Sequence, residues 1–483
     1  MMLQPRLLHN NNTVSLQDPL FSDLQIDKLL SASAISVLKC PCEKSELAKR
    51  NELFALLDDN GNLERVKRVL SVLLAMDKAL CLLRDSKLSL DRYYRYAEVL
   101  EAYAESCEAL IVTSDLGDLF SEVAGFYSSA EKTELLDGIK KSAQEIRSLL
   151  EKMNSGLLSF ADKDWLTPDC DAVSDFDNIA ICAEGLGFAI PKKKAQSIKI
   201  NISLSDTLCR LYAFEAEQIE AEIERYADVD LCAPTAYIGE IKFYLEIHGL
   251  VQRAAEKGVP HCIARIASEP LYTAKEAFDV SLLAKKCEMI VPNDADFTKN
   301  EPFYFLLGAN GGGKTTYLRA VGINLILFLS GCPVFTREAE IYPFDTVISH
   351  FPKDERFDSV GRLDEERRRT EEMLSESQNK SAFLLFNETF SGTDDKRGFE
   401  LLVDVADRVG ENKNFGLYVT HFHEVMYLDC SVLSAEVDLT DANKRTFRIV
   451  KSKGNVSSYA CDILKKYQLD KSSLERRRCE NGN

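Results

Sequence analysis

Residues 303–316 read Phe-Tyr-Phe-Leu-Leu-Gly-Ala-Asn-Gly-Gly-Gly-Lys-Thr-Thr, and their types and spacing fit phosphate chemistry. The spacing from Gly308 to Thr315 is G-x-x-x-x-G-K-T, with Ala309, Asn310, Gly311, Gly312 and Gly313 inside it and Thr316 following. Glycines let the backbone turn so that several N–H groups face one anion, and a following helix adds its positive end. Lys314 is placed to reach the β- and γ-phosphates of a nucleotide, and the Thr315 hydroxyl to ligate Mg²⁺. A second constellation follows at Phe383–Phe386, an apolar run entering Asn387 and Glu388. Four apolar residues before Asp-Glu form the second nucleotide motif, in which the Asp holds the magnesium shell and the Glu polarises water. Asn387 stands where the Asp is expected: it keeps an acceptor and loses the charge, so metal affinity or rate falls. Glu388 is the general-base candidate. His421 ends a third apolar run, Gly416–Thr420, where it could sense phosphate or position water.

These residues need strands and helices to hold them. Phe303–Leu307, Thr346–His350, Phe383–Phe386 and Gly416–Thr420 read as strands; 314–329 and 362–375 read as helices, the latter highly charged. The alternation predicts an open, largely parallel sheet with helices on its faces. Residues 24–152 differ: apolar residues recur at three and four, as in Leu63, Val66, Val69, Leu70, Leu73 and Leu74, which predicts long helices. Asn154-Ser155-Gly156, Pro168, Gly185, Gly187 and Pro191 interrupt helix, and Ser197–Leu204 alternates like a strand. This marks an insertion near 153–206. Its Lys192, Lys193, Lys194 and Lys199 suit either a phosphate-backbone contact or a solvated loop. Helix returns after Ser205 with Glu215, Glu217, Glu220, Glu222 and Glu224, read as solvated surface. The fold class expected is therefore α+α/β: a flexible lead-in at 1–20, a helical lever domain at 21–287, and an ATPase-like domain at 288–483, with a boundary near Cys287.

Composition narrows the class. A chain of 483 residues is long enough for two or more domains, and 45% hydrophobic with 28% charged residues is ordinary for a globular protein. The formal charge of −18 argues against a general coat for nucleic acid, while leaving room for a local basic face. Fourteen scattered cysteines, with Cys40-Pro-Cys42 the one close pair, read as reduced thiols. The apolar run 321–329 is too short to span a membrane, and no signal peptide pattern opens the chain, so the expectation is cytoplasmic.

Together these residues resemble the MutS family of DNA mismatch repair ATPases. The similarity runs through Val291-Pro-Asn-Asp294, Gly308 to Arg319, Gly331-Cys-Pro-Val334, Ala339 to Asp345, Asn387 to Thr393, Thr420-His-Phe-His-Glu424, and Gly454 with Ser458-Tyr-Ala460. The resemblance implies an ABC-type, Mg²⁺-dependent ATP-hydrolysing head on lever helices, working as a homodimer. It also implies arms that encircle distorted or mismatched double-stranded DNA. By the same analogy Ile290 lies near the adenine. Four features depart from the family pattern. The mismatch-reading N-terminal domain and its connector have no counterpart, since the lever pattern starts almost at once; Phe120-Ser121-Glu122 matches the mismatch wedge only by chance. The signature segment reads Leu363-Asp364-Glu365 where a Ser is expected, with Ser359 a weak substitute. Asn387 is the third departure, and the lack of a nuclease-like tail after Tyr459 the fourth. Two other readings stay open: a nucleotide-binding switch with little hydrolysis that docks a protein partner, and an ABC-type ATPase gripping something other than DNA.

Overall fold

The computed structural model describes residues 4–8, 15–87, 89–161, 209–285, 290–352, 359–391, 395–428, 430–437 and 445–452. The Lys192–Lys199 cluster, the strand expected at 197–204, and the closing segment from Gly454 lie outside the described residues. The chain divides into two compact units: residues 1–7 with 58–242, and residues 8–57 with 243–483.

The first unit is helical. Helices Asn60–Asp85, Ser89–Ile111, Gly117–Tyr127, Ala130–Ala161 and Ala213–Arg225 carry it. Spacing explains their packing. In Asn60–Asp85 the buried positions are Val66, Val69, Leu73 and Met76, one stripe at three and four, while Leu74 is turned outward. Asp59 caps that helix by accepting the Asn62 N–H at 3.0 Å. Helix Ala130–Ala161 does not stop at Asn154-Ser155-Gly156 as expected. A lone glycine costs a helix about 1 kcal/mol relative to alanine, too little to end thirty-two residues of it. The Glu215–Glu224 face is not wholly solvated either. Glu222 is buried and accepts the Ser142 hydroxyl at 2.5 Å, with the Tyr226 hydroxyl 3.0 Å from Ser142. Phe120 is buried in the core of its helix.

The expected flexible lead-in is packed where it is described. Leu7 is buried and donates its N–H to Glu240 Oε2 at 2.7 Å, and Tyr237 donates its hydroxyl to the Pro5 carbonyl. Leu16, Leu20 and Phe21 are buried in the second unit. The stretch 1–20 is polar and rich in asparagine, yet the leucines described in it are buried.

The second unit holds the sheets. Its described strands are β1 (Arg265–Ile266), β2 (Tyr272–Ala277), β3 (Asn293–Phe297), β4 (Phe303–Leu307), β5 (Glu338–Ile341), β6 (Thr346–His350), β7 (Ala382–Asn387), β8 (Phe415–Val419), β9 (Ser431–Val437) and β10 (Arg445–Lys451). Six of them form a sheet in the order β10-β9-β4-β8-β7-β6, parallel except for the β10–β9 edge. A four-stranded sheet runs β1-β5-β2-β3. The mixed helix-and-sheet class and the parallel sheet are as the alternation predicts. The division expected near Cys287 falls instead at residues 242–243. Strand pairing is the reason: β2 precedes Cys287 yet pairs with both β3 and β5 beyond it.

β4, β7 and β8 are almost wholly buried, as expected of parallel strands covered on both faces. Helix Lys314–Leu329 lies in the core, with Val321, Ile323, Leu325 and Ile326 buried. Gly322 permits its close approach: a Cβ there would meet Leu385 Cδ1 at 2.7 Å and both Leu24 methyl carbons at 2.9 Å.

Candidate functional site

The loop between β4 and helix Lys314–Leu329 is built by three glycines at positive φ: Gly308 (143°), Gly311 (75°) and Gly313 (92°). Other residue types adopt these angles at a cost. Gly308 is doubly constrained, since a Cβ would come within 2.6 Å of the Ala435 Cβ on β9. Lys314 is buried and folds back over the loop. Its Nζ donates to the carbonyls of Gly308 (2.7 Å) and Ala309 (3.5 Å) and to Asn310 Oδ1 (3.3 Å), and lies 3.5 Å from Glu388 Oε1. Burial pulls its pKa below the ordinary lysine value, and the Glu388 carboxylate opposes that shift. The ammonium is thus held by three oxygen acceptors of the loop and by the Glu388 carboxylate.

Strand order brings the other predicted residues to the same end of the sheet. β4 and β8 are neighbours, as are β8 and β7, so their carboxyl ends lie side by side. Open parallel sheets bind ligands at this edge. Thr315, in the first helical turn, donates its hydroxyl to Asn387 Oδ1 at 3.1 Å. The Glu388 N–H donates to the Val419 carbonyl (2.8 Å), and the Thr420 N–H to the Leu306 carbonyl (3.1 Å). His421 follows directly and is exposed, its ring beside that of Phe422. It shares the edge, but among the described residues no contact joins it to Lys314 or Glu388. Thr316 is half-buried in the first helical turn. Ile290 is half-buried three residues ahead of β3, and the geometry gives it nothing more.

The sequence pointed to a turn at 391–394 and not to the unusual backbone just before it, at Glu388 and Phe390. Glu388 and Phe390 both have positive φ, 50° and 65°, although neither is glycine. Three neighbours hold this turn. Glu366 accepts the Phe390 N–H at 2.9 Å, Tyr418 donates its hydroxyl to the Thr389 carbonyl at 3.0 Å, and the Thr389 hydroxyl sits 3.0 Å from His350 Nδ1. Burial, helped by Arg369, pushes the His350 pKa down to about 3, so this imidazole stays neutral at physiological pH. A second missed feature is Asn293. Its side chain accepts the Ile449 N–H (2.6 Å) and donates to the Phe447 carbonyl (3.0 Å), clasping β10 where its register shifts. Phe447, at φ 58°, passes 3.5 Å from where a Gly313 Cβ would lie. The Val-Pro-Asn-Asp stretch marked Asn293 as part of a pattern; the pattern said nothing of a strand 150 residues later.

Residues 304–477 match the family model of MutS domain V. Among curated proteins, the chain is 30% identical over 141 residues to the DNA mismatch repair protein msh-2 of Neurospora crassa, covering 29% of this chain and 15% of that one. It is 28% identical over 202 residues to the DNA mismatch repair protein MutS of Listeria welshimeri, covering 38% and 22%. To the Endonuclease MutS2 of Lactococcus lactis it is 27% identical over 169 residues, covering 34% and 21%. The matched stretch thus spans about a fifth or less of the length of each of these relatives. The glycine loop, the strand ends beside it and the agreement with three such proteins lead to one assignment: over residues 304–477 the chain is similar to domain V of the MutS family.

Proposed function

We propose that this protein binds ATP with Mg²⁺ at the Gly308–Thr316 loop and hydrolyses it slowly, as a homodimer acting on distorted or mismatched double-stranded DNA in the cytoplasm. The observation that carries the nucleotide reading is the convergence of Lys314, Thr315, Asn387 and Glu388 at one sheet edge. Lys314 would exchange its loop carbonyls for phosphate oxygens. The loop N–H groups and the helix N-terminus would take the remaining charge. Thr315 and Asn387 are the residues fitted to hold Mg²⁺, which when bound neutralises charge on the phosphates. Glu388, released from Lys314, would accept the proton of an attacking water. The DNA reading comes from the names of the relatives, two of which are mismatch repair proteins.

The neutral Asn387 favours a second reading, a switch that binds ATP and turns it over little. Its amide oxygen already accepts from Thr315 and brings no charge to a metal. Steady-state turnover with and without a panel of mismatched and branched duplexes at low salt separates the two. DNA-stimulated, metal-dependent hydrolysis that Glu388→Ala abolishes supports the clamp reading. Tight ATP binding without turnover supports the switch, and salt-insensitive or absent DNA binding ends the DNA reading. Lys314→Ala should weaken ATP binding by about 100-fold or more, since it removes a buried, charge-assisted partner of the phosphates. Retained tight binding in equilibrium dialysis would refute the site.

A further inference from the structure

Glu388 must keep one position to serve as a base, and the backbone that carries it does not hold that position by itself. Left-handed conformations at Glu388 and Phe390 persist only where neighbours impose them. Two of the three restraints come from the sheet: His350 ends β6 and Tyr418 sits in β8, the strands flanking β7. The third comes from another layer. Glu366 belongs to helix Ser359–Glu376, and its carboxylate is buried at 4% exposure with the Phe390 N–H donating to it. A hydrogen bond to a buried carboxylate is the strongest of the three. That helix is tied to its surroundings by bonds that a small sliding motion would change: Arg369 to the Phe351 carbonyl at 3.2 Å, and Arg408 to Glu371 at 2.8 Å.

We infer that Glu366 is a positioning residue for Glu388, and that helix Ser359–Glu376 is the handle by which the hydrolytic state of the site is set. The inference rests on the reading of Glu388 as the base for nucleotide hydrolysis. With the Glu366–Phe390 bond made, the turn stays left-handed and the Glu388 carboxylate stays beside the glycine loop, where it now lies 3.5 Å from Lys314. A displacement of the helix breaks this bond, lets the turn relax, and moves the carboxylate out of line. One hydrogen bond two residues from the base thus couples the helix to the chemistry. A ligand or partner that grips the helix would set the rate without touching the nucleotide.

The test compares the full-length wild type with Glu366→Ala and Glu366→Gln, the latter keeping an acceptor oxygen. Amide exchange without nucleotide should rise at Phe390 by roughly tenfold or more in the Ala variant and recover largely in the Gln variant, while β4 amides keep their protection. At saturating ATP, single-turnover hydrolysis should fall about 10- to 100-fold in the Ala variant, with ATP affinity within roughly twofold of wild type. Unchanged exchange at Phe390 in a folded Ala variant overturns the inference, as does faster exchange with hydrolysis unaffected. ATP bound by the wild type without any turnover overturns the positioning role. A wild type that binds no ATP overturns the nucleotide reading instead, and the exchange comparison still decides whether Glu366 holds the turn.

Discussion

Asn387 is the residue that most separates this site from its expected pattern, and its effect is testable by restoring the charge. Thr315 already donates to it, so under the proposed Mg²⁺ reading the position lacks only the carboxylate. Asn387→Asp should lower the Mg²⁺ concentration for half-maximal nucleotide binding by about tenfold, because ligand charge sets affinity at such sites. Isothermal titration at several Mg²⁺ levels reads this directly; equal midpoints would show that the amide costs nothing. At this scale the sequence was most legible. Lys314 and Thr315 open a helix straight after β4, as their spacing predicts, and strand order brings Asn387 and Glu388 to them. Illegible were His350 and Glu366, which join the site through pairings remote in sequence. A histidine closing an apolar strand and a glutamate in a charged helix carry no local mark of such a role.

Elements that rely on local periodicity were read well, and those that rely on distant pairing were not. β4, β6 and helix Lys314–Leu329 fall on the residues expected, and β7 and β8 within one residue of them. By contrast β1 has two residues, β2 pairs with β3 through a register shift, and β9 and β10 form an antiparallel edge with a bulge, so local pattern marks them poorly. The core helix shows what tight packing demands of one residue. Gly322→Val would drive a side chain into Leu385 and Leu24, and should destabilise the second unit by about 1–3 kcal/mol. Thermal melting monitored at the second unit should show a loss of roughly 2–4 °C per kcal/mol. An unchanged melting temperature would mean that Leu24 moves aside freely.

At the scale of the whole chain, the second unit is composite: residues 8–57 pack with 243–483, although 58–242 intervene. The change of pattern ahead of the strand at Phe303 placed a boundary near Cys287, and a fragment cut there should fail. Residues 288–483 alone would lose β2 from its sheet and leave bare the surfaces that Leu16, Leu20 and Leu24 cover. That fragment should be insoluble when expressed, while co-expressed 8–57 and 243–483 should yield a folded unit; a soluble, cooperatively melting 288–483 would contradict the division. The same arrangement bears on synthesis at the ribosome. Leu16, Leu20, Phe21 and Leu24 emerge well before residues 243–483, the bulk of the unit in which they are buried. At about 5–20 residues per second, that wait is on the order of ten to forty seconds. Through it the nascent chain carries an incompletely covered apolar segment, which makes this stretch a natural client for chaperones that meet chains at the exit tunnel.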